Sequence, residues 1–316
     1  MQRYVIKRLL QSIFVLFGAA TVVFFIVRLT GDPVTLMLSP SATVEDAQLL
    51  REQLGLDAPL YAQYFSFMAD LLKGDLGVSL RFNAPTWNLI VERLPATLEL
   101  ASTALIFALV IAFPLGIASA TRRGSWIDNI GSVITLLGQS VPVFWLGMLL
   151  ILQFSVELRW LPSYGRVPGS WQHLILPTIT LGMFSAALTA RMLRSAMLEV
   201  LNMDYVRTAK AKGLARSKVV YKHVLRNALV PVITIIGIQM GTLLSGSVVT
   251  ETVFAWPGIG RLVINAIETR DFPLVQACII VISGIFIVIN LLVDVFYAIK
   301  KGVRNEPREP SFTERN

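Results

Sequence analysis

Apolar positions along this chain are gathered into long, nearly charge-free runs instead of alternating or recurring at surface-helix spacing. Six such runs cover residues 9–27, 98–120, 130–154, 174–190, 229–249 and 274–299. The hydrocarbon core of a bilayer is crossed by about 20 apolar residues of helix, so each run predicts one span. The first run follows Arg3, Lys7 and Arg8. It exceeds the roughly 7–15 apolar residues of a signal peptide, and Arg28-Leu29-Thr30 offers no small-residue cleavage site, so it reads as an uncleaved span. Pro114, Pro142, Pro177 and Pro231 lie inside or at the mouths of four runs. Neighbouring helices can satisfy the carbonyls that such prolines free, which makes them packing kinks or hinges.

The segments between the runs have their own patterns. Thr43-Val44-Glu45-Asp46 fits a capping-box start, with Asp46 standing in for the usual Glu or Gln, and Gly55 suits the stop. Residues 60–72 place Tyr61, Tyr64, Phe65 and Met68 on one helical face. Such a stripe reads first as a packing surface.

Composition agrees with a membrane chain. Of 316 residues, 54% are apolar and 15% charged, against about a quarter charged in soluble domains. The net charge of +8 is unevenly placed. With the N-terminus in the cytoplasm, cytoplasmic segments hold nineteen Lys and Arg and exterior ones eight, with Arg28 at a boundary. That is the positive-inside pattern for six spans with both termini cytoplasmic. The expected organisation is a first span over 1–28, an extracytoplasmic segment over 29–95, a membrane core over 96–297 and a structureless cytoplasmic tail over 298–316.

The loop between the fourth and fifth spans carries more than charge. Asp204 is a candidate N-cap, Tyr205 to Lys212 is helix-compatible with small Ala209 and Ala211, and Gly213 followed by Leu214 suits a left-handed stop. This predicts a helix of about eight residues, roughly 12 Å long, with a close-approach face for another protein. Fixing topology needs Lys and Arg alone; it has no use for the cap, the alanines or the glycine.

Much chemistry is absent. There is no Gly-Lys pair and therefore no P-loop, and the only histidines are His173 and His223, predicted on opposite sides of the membrane. A metal site or a hydrolase dyad in one cavity is hard to build from them. The lone Cys278 forms no intrachain disulfide. Glu99, Glu251 and Asp294 sit near span ends, where interfacial or interhelical pairing explains them better than ion coupling at mid-membrane. Gln139, Ser140, Gln239 and Ser245 lie deeper. They either bond between helices or line a polar passage; the cost of facing lipid favours an inward position.

The segment from Asp204 to Gly213, continued by His223-Val224-Leu225-Arg226-Asn227-Ala228-Leu229-Val230-Pro231, resembles the cytoplasmic loop of binding-protein-dependent ABC importer permeases. Gly31-Asp32-Pro33, Leu54-Gly55-Leu56-Asp57-Ala58-Pro59-Leu60, Gly74-Asp75-Leu76-Gly77-Val78-Ser79 and Trp256-Pro257-Gly258-Ile259-Gly260-Arg261-Leu262 are similar to the dipeptide/oligopeptide branch, which includes glutathione and nickel importers. Ala209 and Gly213 match the wider family's loop motif, whose acidic residue and first alanine this chain lacks. The resemblance implies an all-α, type I ABC importer permease fold in the bacterial inner membrane. It implies no cofactor and no catalysis in this chain, with ATP-Mg held by two partner ATPase subunits. The other implied partners are a homologous second permease and an extracytoplasmic solute-binding protein, with membrane lipid around the spans and no nucleic acid. Asp204, Tyr205, Ala209, Ala211, Gly213 and Leu214 are then the ATPase-coupling residues, and Gln139, Ser140, Gln239 and Ser245 the translocation path. An ATP-independent secondary transporter or channel is the competing class; it predicts inverted repeats and mid-membrane charges, and neither is seen.

The charge asymmetry has a direct check. In a Cys278→Ser background, a membrane-impermeant thiol reagent applied from outside should label Asp46→Cys and spare Lys212→Cys. The opposite pattern would invert the topology.

Overall fold

A computed structural model describes residues 2–29, 34, 43–53 and 55–304. Expectations resting on Gly31-Asp32-Pro33, on Leu54 and on the tail from 305 onward lie outside the described residues, as do the side chains of Asp294 and its neighbours up to 304. Among the described residues the chain is helical, with one isolated antiparallel bridge between Val78 and Pro85. Five helices are long and apolar enough to cross a membrane, or six if one bent pair forms a single span.

The first span is α1 (Gln2–Leu29). Two shorter helices follow, α2 (Val44–Gln53) and α3 (Leu60–Leu72). The capping box forms: the Thr43 amide donates to Asp46 Oδ2 at 2.9 Å and the Asp46 amide to Thr43 Oγ1 at 3.2 Å. These bonds hold the Asp46 carboxyl below its ordinary pKa. Half of the expected stripe on α3 packs: Tyr64 meets Phe24 and Phe25 of α1, and its hydroxyl lies 3.0 Å from Thr21 Oγ1. Met68 is buried with Phe67 and Leu71 beside it, whereas Tyr61 and Phe65 are exposed.

The core comprises α4 (Thr86–Thr121), α5 (Trp126–Ser140), α6 (Val143–Leu150), α7 (Trp171–Leu201), α8 (Asp204–Ala211), α9 (Arg226–Val253), α10 (Ile259–Glu268) and α11 (Phe272–Arg304). A π-helical stretch, Ile151–Glu157, prolongs α6, and another, Val219–Leu225, leads into α9. Helix α11 runs through the first seven residues assigned to a structureless tail (298–304).

The third apolar run departs from expectation. It is a pair of helices bent by 103°, not one straight span. Val141 is extended (ψ 124°), the geometry that a following proline imposes, and Pro142 opens α6. Pro114, Pro177 and Pro231 remain inside continuous helices.

Helices α4 and α7 form the spine. Ala101, Ala104, Ala108, Ala112 and Gly116 make one buried stripe on α4. A Cβ on Gly182 of α7 would lie 2.7 Å from the Ala104 carbonyl oxygen, and one on Gly116 would lie 2.9 Å from that of Ala190. Apolar attraction contributes little between helices in lipid, so close backbone approach through small residues is what joins them.

At the outer end of the core, the end away from α8, α10 is seated on a buried acid. The fully buried Glu251 carboxylate accepts from Thr97 Oγ1 at 2.8 Å and from the Arg261 amide at 3.0 Å, while Thr97 Oγ1 accepts from the Ile259 amide at 2.8 Å. Glu251 and Thr97 thus supply the N-terminal caps that α10 lacks locally. Any Cβ at Gly258 would meet the Glu251 carboxylate, which accounts for the glycine in Trp256-Pro257-Gly258. Asp271 plays the same part for segment 79–82: it accepts from Ser79 Oγ and from the amides of Leu80 and Arg81.

Replacing Glu251 with Ala takes the acceptor from the Thr97 hydroxyl and the Arg261 amide, at about 1–3 kcal/mol for each group stranded. Glu251→Ala should therefore lower the melting temperature of the detergent-solubilised protein, and Glu251→Gln should lower it less. Equal melting of both variants and the native chain would remove Glu251 from this role.

Candidate functional site

The site is the loop that joins α7 to α9. Helix α8 begins at Asp204, whose side chain is exposed, with Met203 in the cap position. Asp204 is therefore the first helical residue and not the N-cap. It lies 3.7 Å from Arg207 in a fully hydrated pair, which contributes little to stability. Gly213 ends the turn at φ +73°, the left-handed backbone anticipated from its place after the helix.

The two faces of α8 differ. Val206 and Ala209 are buried against Val219, Val220 and Val224 of the π-helical lead. Ala209 thus faces its own chain, and the expectation that it lies on a face open to another protein is corrected. The reason is steric: a helix of eight residues holds its place by burying one narrow stripe, and the alanine lets the lead approach. The open face carries Tyr205, Thr208, Ala211 and Lys212. Tyr205 is tethered at its tip, where its hydroxyl accepts from Asn227 Nδ2 at 3.0 Å. Leu214 packs on the same cluster and lines a cleft of about 480 Å³ beside Ala120, Leu198 and Leu201. Arg216 donates to the Thr121 carbonyl oxygen at 2.9 Å, tying the loop to the end of α4.

Beside the loop, Arg194 of α7 grips Asp128 of α5 through two bonds of 2.6 and 2.8 Å, and the Gly124 amide adds a third at 3.0 Å. The Asp128 side chain is 5% exposed. The sequence reading missed this fastener; the signal available was a lone acid two residues before an apolar run, in a chain with an arginine just past another run. The loop is thus bonded to α4 and α9, and α5 is fastened to α7 beside it.

The four path candidates separate. Gln239 is buried and bonds with Thr189 across the α7–α9 contact at 3.0 and 3.2 Å, so it fastens helices and faces no open passage. Gln139 has a buried Nε2 with no hydrogen-bond partner among the described residues. Ser140, at the α5–α6 break, and Ser245, on α9, are exposed. A partly exposed pair, Glu99 with Arg166 at 2.7 Å, stands at the outer end, with Arg166 over Trp256. Among the described residues no group of His, Cys, Asp and Glu is placed to hold a metal.

A helical membrane core with a short helix fixed across the ends of its spans is the architecture of an importer permease. Residues 112–300 match the family described as binding-protein-dependent transport system inner membrane component, and residues 1–101 match its N-terminal counterpart. The chain belongs to this family and is a multi-pass inner-membrane permease subunit of an ABC importer. It is 48% identical over 299 residues to the glutathione transport system permease protein GsiC of Escherichia coli O6:H1 (strain CFT073), covering 94% of this chain and 97% of that one. The protein of the same name from Shigella dysenteriae serotype 1 is 47% identical over the same span. Among solved structures, the fold is similar to an inward-facing methionine ABC transporter MetNI (TM-score 0.55, 22% identity, 67% of this chain and 95% of that one). It is also similar to an amino acid ABC transporter with histidines (TM-score 0.52, 16% identity, 68% of this chain and 94% of that one). Membership sets aside the ATP-independent transporter or channel.

The corrected position of Ala209 makes its substitution a test of the loop itself. Ala209→Asp places a charge among Val206, Val219 and Val224, where an unpaired polar group costs about 1–3 kcal/mol or more. It should expose segment 203–218 to limited proteolysis in membranes, whereas Ala211→Asp should not. Equal protection in both variants would contradict the inward position.

Proposed function

We propose that this chain forms one half of the membrane passage of an ATP-driven importer for glutathione or a short peptide, with the loop around α8 receiving the ATPase stroke. The observation that carries the reading is the construction of α8. One face is fastened to its own chain, the other presents Tyr205, Thr208 and Ala211 to a partner, and the loop is bonded to the ends of α4 and α9. The substrate class is taken from the relatives' glutathione transport and from the branch-specific motifs.

In this scheme the α8 side is cytoplasmic and segment 43–85 extracytoplasmic. Two ATPase subunits bind ATP-Mg, one under this chain and one under a homologous second permease, and this chain holds no cofactor of its own. Closure of the ATPase pair pushes α8. The Arg216–Thr121 bond and the Val206–Val224 packing pass the push to α4 and α9. The Asp128–Arg194 grip carries it to α5, whose break at Pro142 lets the two halves of the third span rotate. Solute delivered by an extracytoplasmic binding protein enters between the two permeases, where Ser140 and Ser245 face the passage. Gly213 and Leu214 set the angle at which α8 is presented. Asp204 lies on the outer rim of the contact.

The test uses the complete transporter in a strain unable to import glutathione. Thr208→Trp and Ala211→Trp alter only the open face of α8, so permease levels in the membrane should stay normal. Gly213→Val forces a β-branched residue into the left-handed region, at about 1–2 kcal/mol, and re-aims the helix. All three should abolish uptake of labelled glutathione and uncouple ATP hydrolysis from the loaded binding protein. Normal uptake in all three would remove α8 from coupling. Uptake of neither glutathione nor dipeptides by the native complex would overturn the substrate class alone.

A further inference from the structure

At the end of the bundle that carries α8, a cleft of about 250 Å³ opens between α4, α5 and α7. Ser119, Ser132, Arg191 and Arg194 bring polar groups to it, and Leu115 and Leu136 add apolar wall. The two arginines differ. Arg194 is committed to the buried Asp128. Arg191, one turn earlier on α7, is exposed, and among the described residues it has no hydrogen-bond or ion-pair partner. Asp128 already accepts three bonds from Arg194 and the Gly124 amide, and Glu199, the acid of α7, lies exposed two turns further on.

The level of Arg191 matters. It is the first residue after the apolar run 174–190, about 15 Å of helix before the end of α7 at Leu201. Trp126, exposed at the start of α5, stands on the same side of the bundle, as tryptophan does where hydrocarbon meets headgroups. Leu136 of α5, which lines the cleft, is about half exposed and offers apolar surface at its mouth. A guanidinium at this level, exposed and without a protein partner among the described residues, is placed to meet an anionic headgroup. The guanidinium fork matches a phosphate, and basic pockets between spans on this side of a membrane take anionic headgroups.

We propose that this cleft binds the phosphate of an anionic phospholipid. Arg191 is its counter-charge, the Ser119 and Ser132 hydroxyls lie beside it, and one acyl chain follows Leu136 down α5. The lipid bridges α4, α5 and α7 where the loop attaches, so it stiffens the end of the bundle that must move as a unit. The inference is independent of the transported solute.

Native mass spectrometry of the purified complex, extracted from membranes containing phosphatidylglycerol and phosphatidylethanolamine, tests the site. The native complex should retain phosphatidylglycerol. Arg191→Gln should retain several-fold less, Arg191→Lys an intermediate amount, and Lys222→Gln, outside the cleft, as much as the native chain. Adding phosphatidylglycerol to delipidated complex should raise the melting temperature of the native chain more than that of Arg191→Gln, and sodium phosphate should not. Equal retention in Arg191→Gln and the native chain would overturn the site, and an equal shift from sodium phosphate would overturn a lipid source. A photo-crosslinker at position 191 that captures the partner permease instead of lipid would assign the charge to a protein contact and overturn the proposal.

Discussion

The backbone contact between α4 and α7 is the constraint on which the rest of the protein depends. Lipid offers helices no apolar reward for leaving it, so two long helices stay together only if their surfaces fit closely. Alanine every third or fourth residue on α4, with Gly116 and Gly182 at the tightest points, meets that condition. Both ends of the molecule are then positioned from one rigid pair. The outer end of α4 offers Thr97 to α10, and its inner end offers the Thr121 carbonyl to the loop.

Polar groups complete what the small residues begin. Glu251 seats α10, Asp271 seats segment 79–82, Gln239 joins α9 to α7, and Asp128 joins α5 to α7. Each is a buried group whose partners lie on a different element. Losing one partner strands the other where water cannot compensate, so each contact specifies a single arrangement. Between these fasteners, among the described residues, one span is broken, at Ser140-Val141-Pro142, where it turns by 103°. A mechanism that moves helices without melting them needs this combination of rigid joints and a place to bend.

The loop around α8 follows the same logic on a small scale. Eight residues are too few to make a stable helix alone, and Val206 with Ala209 supplies the tertiary contact that holds it. That contact uses the inner face, leaves the outer face exposed and makes the helix a stiff projection of α9 and α4.

Much of this was legible in the amino-acid order because it is written locally. Span count follows from run length, the Thr43–Asp46 box and the Gly213 stop from residues a turn apart, and family membership from motifs in sequence. The amphipathic α3 was likewise visible as a stripe. What tertiary structure alone decided concerns partners distant in the chain. No local pattern tells whether Ala209 faces its own chain or another, because both faces of α8 hold a small residue. Gln239 looks equally suited to a passage or a helix contact until Thr189, fifty residues away, is seen to meet it. Glu251 reads as an interfacial charge until the backbone amides of α10 fold over it. Sequence sets which groups need partners, through the cost of leaving them bare; only the packing of α4 on α7, by fixing where every other helix can lie, determines which partners they find.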